Sequence, residues 1–273
     1  MTLQNLLLLC IVLCVVGTPT AAFGQIIVGH RGASYDAPEN TLAAFRLAWE
    51  QNADGVEGDF YVTADKQIVC IHDDNTKRTA GSKRVVAEST LDELRSLEYG
   101  NWKNPKYKGE PIPTFAEVMA CVPEGKKFVI ELKTGPTVVP LLRDELDRLK
   151  PDRSRLLIIS FNKDTIAQSK RMIPDVKTHW LTSYKHNHLT GGFRPTIDQI
   201  AKTLREVKAD GLGSKADRKV LTSESIQRLN ALGMKEFHVW TVDDPDDALY
   251  YQKLGAIGIT TNRPGLLRSI LER

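Results

Sequence analysis

A chain of 273 residues is long enough to form one large α/β domain with a substantial hydrophobic core. Its formal net charge of +3 is too small to indicate binding to nucleic acid, and the sequence contains no lysine- or arginine-rich block. It also contains no CxxC pair or Cys/His zinc spacing, which disfavours a structural zinc site. Two cysteines outside the apolar amino-terminal segment, Cys70 and Cys121, could form a disulfide or remain free.

Residues 1–24 are predicted to be a signal peptide. Residues 6–16 form an unbroken apolar run, which is shorter than the roughly 20 residues that a membrane-spanning helix needs. Ala22 and Gly24 then occupy the −3 and −1 positions of a cleavage site. Because this segment has no lysine or arginine, an uncleaved membrane anchor is the alternative. We expect an exported domain, residues 25–273, that is periplasmic or secreted and has no stable membrane insertion after cleavage.

After this segment, short β-branched runs alternate with amphipathic helical stretches along the whole chain. The predicted strands are residues 25–29, 54–59, 127–132, 155–160, 176–181, 209–213, 236–241 and 256–260. The predicted helices are residues 39–52, 114–121, 136–149, 163–171, 195–208, 222–232, 244–254 and 264–272. Capping patterns support these helices, with N-caps at Thr114, Ser223 and Asp243 or Asp244, and terminating glycines at Gly233 and Gly255. This alternation of eight strands with helices predicts a (β/α)8 TIM barrel.

One further strand-like run, residues 67–72, does not fit the alternation. It follows the second predicted strand after only a short turn, whereas a parallel return would need a crossover of about a dozen residues or more. The run is therefore predicted to form an antiparallel hairpin with strand two, which brings His72 to the level of Glu57 and Asp59. Residues 73–113 would then be a small insertion beside the barrel mouth, the end at which the carboxyl ends of the strands lie.

Three carboxylates are predicted to meet at this mouth. Side chains alternate along a strand, so Glu57 and Asp59 share one face of strand two. Glu131 lies near the end of the next barrel strand, and barrels of this kind carry their catalytic groups at the carboxyl ends of the strands. Because converging carboxylates repel one another, we expect a cation among them. Ligation by oxygen alone favours Mg²⁺ or Ca²⁺, and Mn²⁺ is also possible.

Basic and histidine side chains belong to the same predicted cluster. Arg31 and Lys133 make the combined charge of a divalent ion and three carboxylates positive, which favours an anionic phosphodiester substrate. His30, just past strand one, and His72 are candidates for the base and the acid, in either order. One histidine at a strand end is more often structural, and the tripeptide ELK is uninformative alone. The combination of all these residues favours a catalytic site.

Seven segments resemble the glycerophosphodiester phosphodiesterase family: HRGASYDAPENTLAAF, GVEGDFYVTADKQIVCIHDDNTKRT, IPTFAEV, ELK, SF at 160–161, VWTV at 239–242 and ITTNRP at 259–264. They cover nearly the whole mature chain in the family's order, so the chain resembles a bacterial, exported member. The resemblance implies a (β/α)8 barrel with a small insertion after strand two, at residues 73–113.

The same resemblance implies a role for each residue of the cluster. The general acid and base would be His30 and His72, and the phosphate would be bound by Arg31 and Lys133. The metal ligands would be Glu57, Asp59 and Glu131. Glu39 and Asn40 of the PEN motif would lie next to the metal site, and Trp240 would line the substrate pocket.

The implied reaction is metal-dependent hydrolysis of a glycerophosphodiester to sn-glycerol 3-phosphate and an alcohol. The attacking group would be the glycerol 2-hydroxyl or water. The small-molecule substrate is the expected partner, with no nucleic acid, and the sequence predicts neither the alcohol nor the oligomeric state. One alternative is a lysophospholipase D or sphingomyelinase D-like hydrolase, which calls for an apolar rim at the mouth. The other is a non-catalytic binding barrel, which would usually have lost one of these residues.

Two further features are predicted to have no catalytic role. His179 and His238 are expected to pack inside the barrel. The loop at residues 184–194 is polar and contains histidine, and it is expected to be a solvated loop, although it could contact the alcohol portion of the substrate.

Overall fold

Eight parallel strands close into a barrel because the first strand pairs with both the second and the last. The computed structural model describes residues 26–187 and 191–271. Its strands are β1 (Ile26–His30), β2 (Gly55–Val62), β3 (Ile68–Cys70), β4 (Lys127–Leu132), β5 (Leu156–Ser160), β6 (Lys177–Thr182), β7 (Lys185–His186), β8 (Phe193–Arg194), β9 (Gly211–Lys215), β10 (Phe237–Trp240) and β11 (Gly258–Thr261). The barrel contains all of these except β3, β7 and β8, and β1 pairs in parallel with β2 and β11. The predicted (β/α)8 barrel is confirmed, and the predicted signal peptide lies outside the described residues.

The helices follow the predicted alternation. They are α1 (Leu42–Glu50), α2 (Lys77–Ala80), α3 (Leu91–Arg95), α4 (Phe115–Cys121), α5 (Val138–Leu149), α6 (Lys163–Met172), α7 (Ile197–Val207), α8 (Ser223–Ala231), α9 (Pro245–Lys253) and α10 (Pro264–Leu271). Thr114 and Asp244 cap α4 and α9, as predicted. The prediction of Ser223 as a cap is wrong by one residue, because the Thr222 side chain accepts from the Ser225 backbone N–H.

The predicted hairpin after strand two is also confirmed. Residues 60–62 of β2 pair antiparallel with residues 68–70 of β3. This pairing explains why β2 continues to Val62, three residues beyond the predicted end at Asp59. The hairpin therefore delivers the chain back to the barrel mouth at His72.

The insertion has a small core of its own. Val69 and Ile71 of the returning chain pack with Val86, Leu94, Tyr99 and Ile112. These side chains fix α2 and α3 beside the mouth, because burying them removes apolar surface from water. The insertion predicted from the sequence is therefore packed around its own apolar cluster.

Part of the barrel interior is apolar, because Val28, Val129, Ile159 and Leu181 meet inside it. Outside the barrel, aromatic side chains of β2, α4 and β4 pack against one another. Cys70 and Cys121 are both free thiols. Within the described part of the chain, no helix has the length and apolar character needed to span a membrane.

Candidate active site

Three carboxylates meet where β1, β2 and β4 lie side by side. Glu57 pairs in register with His30 of β1, and Asp59 pairs with Glu131 of β4. One carboxylate oxygen from each of Glu57, Asp59 and Glu131 lies within 4.8 Å of the others. Glu57 and Asp59 are only 2% and 1% exposed. The strand register therefore brings together the acidic cluster that the sequence predicts and removes most of it from water.

Two positive side chains keep Asp59 charged. Arg31 Nε lies 3.1 Å from one Asp59 oxygen, and Lys133 Nζ lies 3.3 Å from the other. Burial works to raise the pKa of Asp59, but the charges of Arg31 and Lys133 outweigh it and lower the pKa to about 2. Asp59 is therefore an anion at neutral pH.

The pKa values of Glu57 and Glu131 are shifted in the opposite direction to that of Asp59. Burial and the charges of Asp59 and Glu131 raise the pKa of Glu57 well above its ordinary value. Burial and Asp59 raise the pKa of Glu131 to about 7, although Lys133 Nζ lies 2.8 Å from Glu131 Oε1. The protein thus holds more negative charge in one buried place than its own cations neutralise.

These residues fit a divalent cation. Glu57 Oε1 is buried and has no hydrogen-bond partner among the described residues, which is costly for a carboxylate oxygen. The donor set of Glu57, Asp59 and Glu131 consists of oxygen alone, which suits Mg²⁺, Ca²⁺ or Mn²⁺. A cation here would satisfy the unpartnered oxygen and relieve the repulsion between the carboxylates.

The loop after β1 positions Arg31 beside this cluster. Arg31 has a left-handed backbone with a φ of 54°, and its N–H donates to Glu57 Oε2 at 3.0 Å. Gly32 also has a positive φ of 82°, and a Cβ there would lie 2.5 Å from the carbonyl carbon of Ala44 in α1. Only glycine allows this close approach, so the glycine of the HRG motif is a packing requirement.

The PEN motif supports the same loop from the side. The Asn40 side chain donates to Asp59 Oδ2 at 2.9 Å and accepts from the Asp59 N–H at 3.2 Å. Thr41 caps α1, which leaves the Asn40 amide available for Asp59. Glu39 accepts from Arg31 Nη1 at 2.8 Å. Both residues therefore lie next to the acidic cluster, where the resemblance placed them.

The orientation of His30 is set by Asn262, which follows β11, and by Asp243, which follows β10. Asp243 accepts from Asn262 Nδ2 at 2.6 Å, which turns Asn262 Oδ1 towards His30. This amide oxygen only accepts, so His30 Nδ1, which is 2.7 Å away, carries the hydrogen and Nε2 carries the lone pair. Burial, reinforced by the charge of Arg31, lowers the pKa of His30 to about 4. His30 is therefore a neutral imidazole with a free basic nitrogen.

His72 has a different partner, a carboxylate. Its Nδ1 lies 2.7 Å from Asp73 Oδ1, and Arg78 Nε donates to the other Asp73 oxygen at 2.7 Å. Arg78 also donates to both Glu39 oxygens, at 2.6 and 2.8 Å. Arg78 of the insertion thus connects the His72–Asp73 pair to Glu39 and, through it, to Arg31.

Asn262, Asp73 and Arg78 are site residues that the sequence alone did not predict. All three lie inside the segments that carry the family resemblance, HDDNTKRT and ITTNRP. Their position in those segments was the feature of the sequence that could have marked them as site residues. Their side-chain partners become visible only in the folded chain.

A cavity at the mouth joins these groups. Its lining includes His30, Arg31, Glu57, His72, Glu131, Lys133 and Trp240. Trp240 packs edge-on against Phe161, with ring centroids 5.4 Å apart, and the two rings form an aromatic wall. Glu39 and Asn40 are outside this lining, consistent with a supporting position. The predicted site residues therefore meet at one cavity or contact residues that line it.

The two remaining sequence predictions concern His179, His238 and the loop at 184–194. Both histidines are buried inside the barrel, as predicted, but His238 also reaches the cavity lining. In the described parts of the loop, the chain forms the short β7–β8 hairpin and no residue lines the cavity. The structure thus gives this loop no contact with the cavity in its described residues.

Comparison with known proteins agrees with this geometry. The profile of the Glycerophosphoryl diester phosphodiesterase family matches residues 30–266. The Bacillus subtilis protein YhdW is 33% identical, over 88% of this chain and 96% of its own length. A glycerophosphodiester phosphodiesterase of Caldanaerobacter subterraneus is 31% identical, over 91% of this chain and 98% of its own.

A solved structure shows the same similarity. An Oleispira antarctica phosphodiesterase in complex with the product sn-glycerol-3-phosphate superposes with a TM-score of 0.79 and 25% identity. The match covers 92% of this chain and 98% of that one. Sequence, fold and site geometry therefore agree, and the chain belongs to the glycerophosphodiester phosphodiesterase family of enzymes.

Proposed function

We propose that this protein is a metal-dependent hydrolase that converts glycerophosphodiesters to sn-glycerol 3-phosphate and an alcohol. The observation that carries the proposal is the meeting of three carboxylates, two of them buried, and two histidines at one cavity. The solved Oleispira antarctica relative binds sn-glycerol-3-phosphate as its product, which supports the same product here.

Glu57, Asp59 and Glu131 would hold the cation, either Mg²⁺, Ca²⁺ or Mn²⁺, which when bound supplies positive charge towards the phosphoryl oxygens. Arg31 and Lys133 supply the protein's own positive charge beside it. Both line the cavity, and both are anchored by Asp59 and by one glutamate each. Their role is to bind and orient a phosphodiester, because fixed cations stabilise the charge of the transferred group.

The hydrogen-bond partners of the histidines suggest which is the base and which is the acid. His30 donates through Nδ1 to an amide oxygen, so its Nε2 can take the proton of the attacking hydroxyl or water. His72 is paired through Nδ1 with the Asp73 carboxylate, which holds the ring in place, and we assign it the role of the acid. As the new O–P bond forms and the bond to the alcohol breaks, His72 donates its proton to the leaving oxygen.

A second candidate is a head-group hydrolase acting on lysophospholipid or sphingomyelin. It is favoured by exposed aromatic side chains on three segments at the mouth: Tyr35 at 54% exposure, Trp102 at 42% and Phe161 at 46%. Such residues can contact lipid, since aromatic rings suit a membrane interface. In the described part of the chain these rings lie on separate segments, and the residues around Trp102 are largely polar, so the soluble diester is the better-supported substrate.

A substrate panel tests the proposed function. Purified protein with divalent cation is incubated with glycerophosphocholine, glycerophosphoethanolamine, lysophosphatidylcholine or sphingomyelin, and choline or ethanolamine and sn-glycerol 3-phosphate are measured. We expect equal amounts of choline and sn-glycerol 3-phosphate from glycerophosphocholine. Choline release from the lipid substrates alone would establish the second candidate. No release from any substrate would favour a binding barrel.

Two variants test the proposed general base and general acid. His30→Ala and His72→Ala should each lower kcat by about 10²–10⁴, the range for removing a general acid or base. A loss smaller than tenfold in both variants would contradict the acid–base pair.

A further inference from the structure

The barrel interior beside the cavity contains two histidines in contact. His179 on β6 and His238 on β10 stack with ring centroids 5.1 Å apart, and their Nδ1 atoms lie 2.8 Å apart. The intervening strand β9 carries glycine at the two facing positions. A Cβ on Gly211 would lie 2.5 Å from His179 Nε2, and one on Gly213 would lie 2.6 Å from His238 Cε1. The two rings therefore occupy the space that these glycines leave.

When both rings are neutral, a hydrogen-bonded chain determines which nitrogen of each ring carries the hydrogen. Lys177 Nζ lies 2.7 Å from the Glu236 carboxylate, and His179 Nε2 lies 3.0 Å from it. A carboxylate only accepts, so His179 Nε2 carries a hydrogen and, in the neutral ring, its Nδ1 accepts. His238 must then donate through Nδ1. This leaves His238 Nε2 as an acceptor without a hydrogen.

This nitrogen has no partner among the described residues, although His238 is only 5% exposed. Trp240 lies two residues further along β10 on the same face, and its Nε1 is also buried with no partner in the described part of the chain. Both residues line the cavity. Because an unpartnered buried polar atom costs free energy, packing alone does not account for the pair. A buried acceptor and a buried donor at one cavity indicate a ligand group that can both donate and accept.

A hydroxyl group has this property. In the barrel order, β10 lies opposite β4, so His238 and Trp240 stand across the cavity from Glu131 and Lys133. We propose that His238 Nε2 and Trp240 Nε1 bind a hydroxyl of the substrate's glycerol group while its phosphate lies beside the acidic cluster. His238 is then a specificity-determining residue for polyol esters. The inference rests on the proposed function, because it takes a glycerophosphodiester as the substrate.

Two matched ligands separate hydroxyl recognition from phosphate binding. sn-Glycerol 3-phosphate and n-propyl phosphate share a three-carbon chain and a phosphate, but only the former has hydroxyls. Their Kd values are measured by isothermal titration calorimetry on metal-loaded wild-type and His238→Phe protein. Phenylalanine keeps an aromatic ring and removes the acceptor. We expect His238→Phe to weaken sn-glycerol 3-phosphate about tenfold, as for the loss of one hydrogen bond, and n-propyl phosphate less than twofold.

The control is His186→Phe on β7, a histidine outside the cavity lining, which should leave both Kd values unchanged. Equal weakening of the two ligands by His238→Phe would overturn the inference, as would no weakening of sn-glycerol 3-phosphate. Equal affinity of the wild-type protein for both ligands would overturn it too. Wild-type protein that binds neither ligand would contradict the proposed function itself, and the inference with it.

A measurement on the unaltered protein covers the case in which His238→Phe does not fold. With ¹⁵N-labelled histidine, the His238 Nε2 resonance should have the chemical shift of an unprotonated imidazole nitrogen. Addition of sn-glycerol 3-phosphate should move it, and addition of n-propyl phosphate should not. The same response to both ligands, or a response to neither, would overturn the inference.

Discussion

Glu57 and Asp59 are two residues apart on one strand, yet their surroundings favour opposite charge states. Burial works against the charge of Asp59, but Arg31 and Lys133 outweigh burial and lower its pKa to about 2. For Glu57, burial and the neighbouring carboxylates act together and raise the pKa. Without a cation, Glu57 therefore destabilises the folded protein at neutral pH, as expected where a site is shaped for a ligand.

Glu57→Gln should therefore stabilise the metal-free protein. The raised pKa means that folded protein holds the Glu57 proton more tightly than unfolded chain does. The stability from this group is present below the unfolded pKa and is lost as pH rises through the folded pKa. Glutamine does not ionise, so the variant's advantage should be near zero in acid and grow as the pH rises to neutrality. Thermal unfolding in EDTA at neutral pH should show a higher Tm for the variant, by roughly 2–4 °C for each ~1 kcal/mol gained.

Asp59→Asn is the matched control for this prediction. The pKa of Asp59 is lowered, so its charged form stabilises the fold, and its replacement should lower Tm in EDTA. Adding Mg²⁺ or Ca²⁺ should raise the Tm of the wild-type protein, because ligands stabilise the state they bind, and should not raise that of Glu57→Gln. A Glu57→Gln variant less stable than wild type in EDTA at neutral pH would contradict the claim that repulsion between the carboxylates destabilises the metal-free protein.

At the scale of elements, the hairpin could be predicted and the contacts of the insertion could not. The short turn between β2 and β3 excludes a crossover, so sequence length alone fixed the direction of β3 and the return of His72. The position of α2 depends instead on how residues 73–113 pack on the hairpin. Arg78 reaches a carboxylate at Glu39, 39 residues away in sequence, and no local pattern encodes that distance.

Arg78 tests whether the insertion positions the catalytic groups. Arg78→Ala removes the side chain that holds Asp73 and Glu39 together. We expect kcat to fall about 10–100-fold with little change in KM, as for residues whose hydrogen bonds hold a functional side chain in position. Arg78→Lys should recover part of the loss, because lysine keeps the charge but not the two-sided donor geometry.

Lys77→Ala is the control for Arg78, since Lys77 lies in the same short helix and its Nζ donates to the Gly81 carbonyl rather than to a site residue. Steady-state kinetics of the three variants on glycerophosphocholine provide the comparison. If Arg78→Ala stays within twofold of Lys77→Ala, Arg78 has no positioning role.

Over the whole molecule, barrel closure brings together residues that are far apart in sequence. His30 on β1 and Asn262 beyond β11 are 232 residues apart, yet β1 and β11 are neighbours. The alternation of strands and helices was enough to predict this closure and the carboxylate cluster, because strand order and side-chain alternation place those residues. The Asn262–His30 contact could not be predicted, since it depends on the Asp243 side chain that orients the amide.

The amino-terminal segment gives a prediction about the whole chain. Its apolar run and small residues lead us to propose cleavage after Gly24 and export. Amino-terminal sequencing of protein recovered from outside the cytoplasm of an exporting bacterial host should begin at or near Gln25. An intact amino terminus would indicate a membrane anchor instead.

Restoration of activity by a divalent cation tests the central claim most directly. Wild-type protein is stripped with EDTA, dialysed, and assayed for sn-glycerol 3-phosphate release from glycerophosphocholine as Mg²⁺, Ca²⁺ or Mn²⁺ is added. We predict no activity after stripping, saturable recovery with at least one of these cations, and no recovery in Glu57→Gln. Full activity of the stripped protein in continued EDTA would contradict the claim that the three carboxylates form a catalytic metal site.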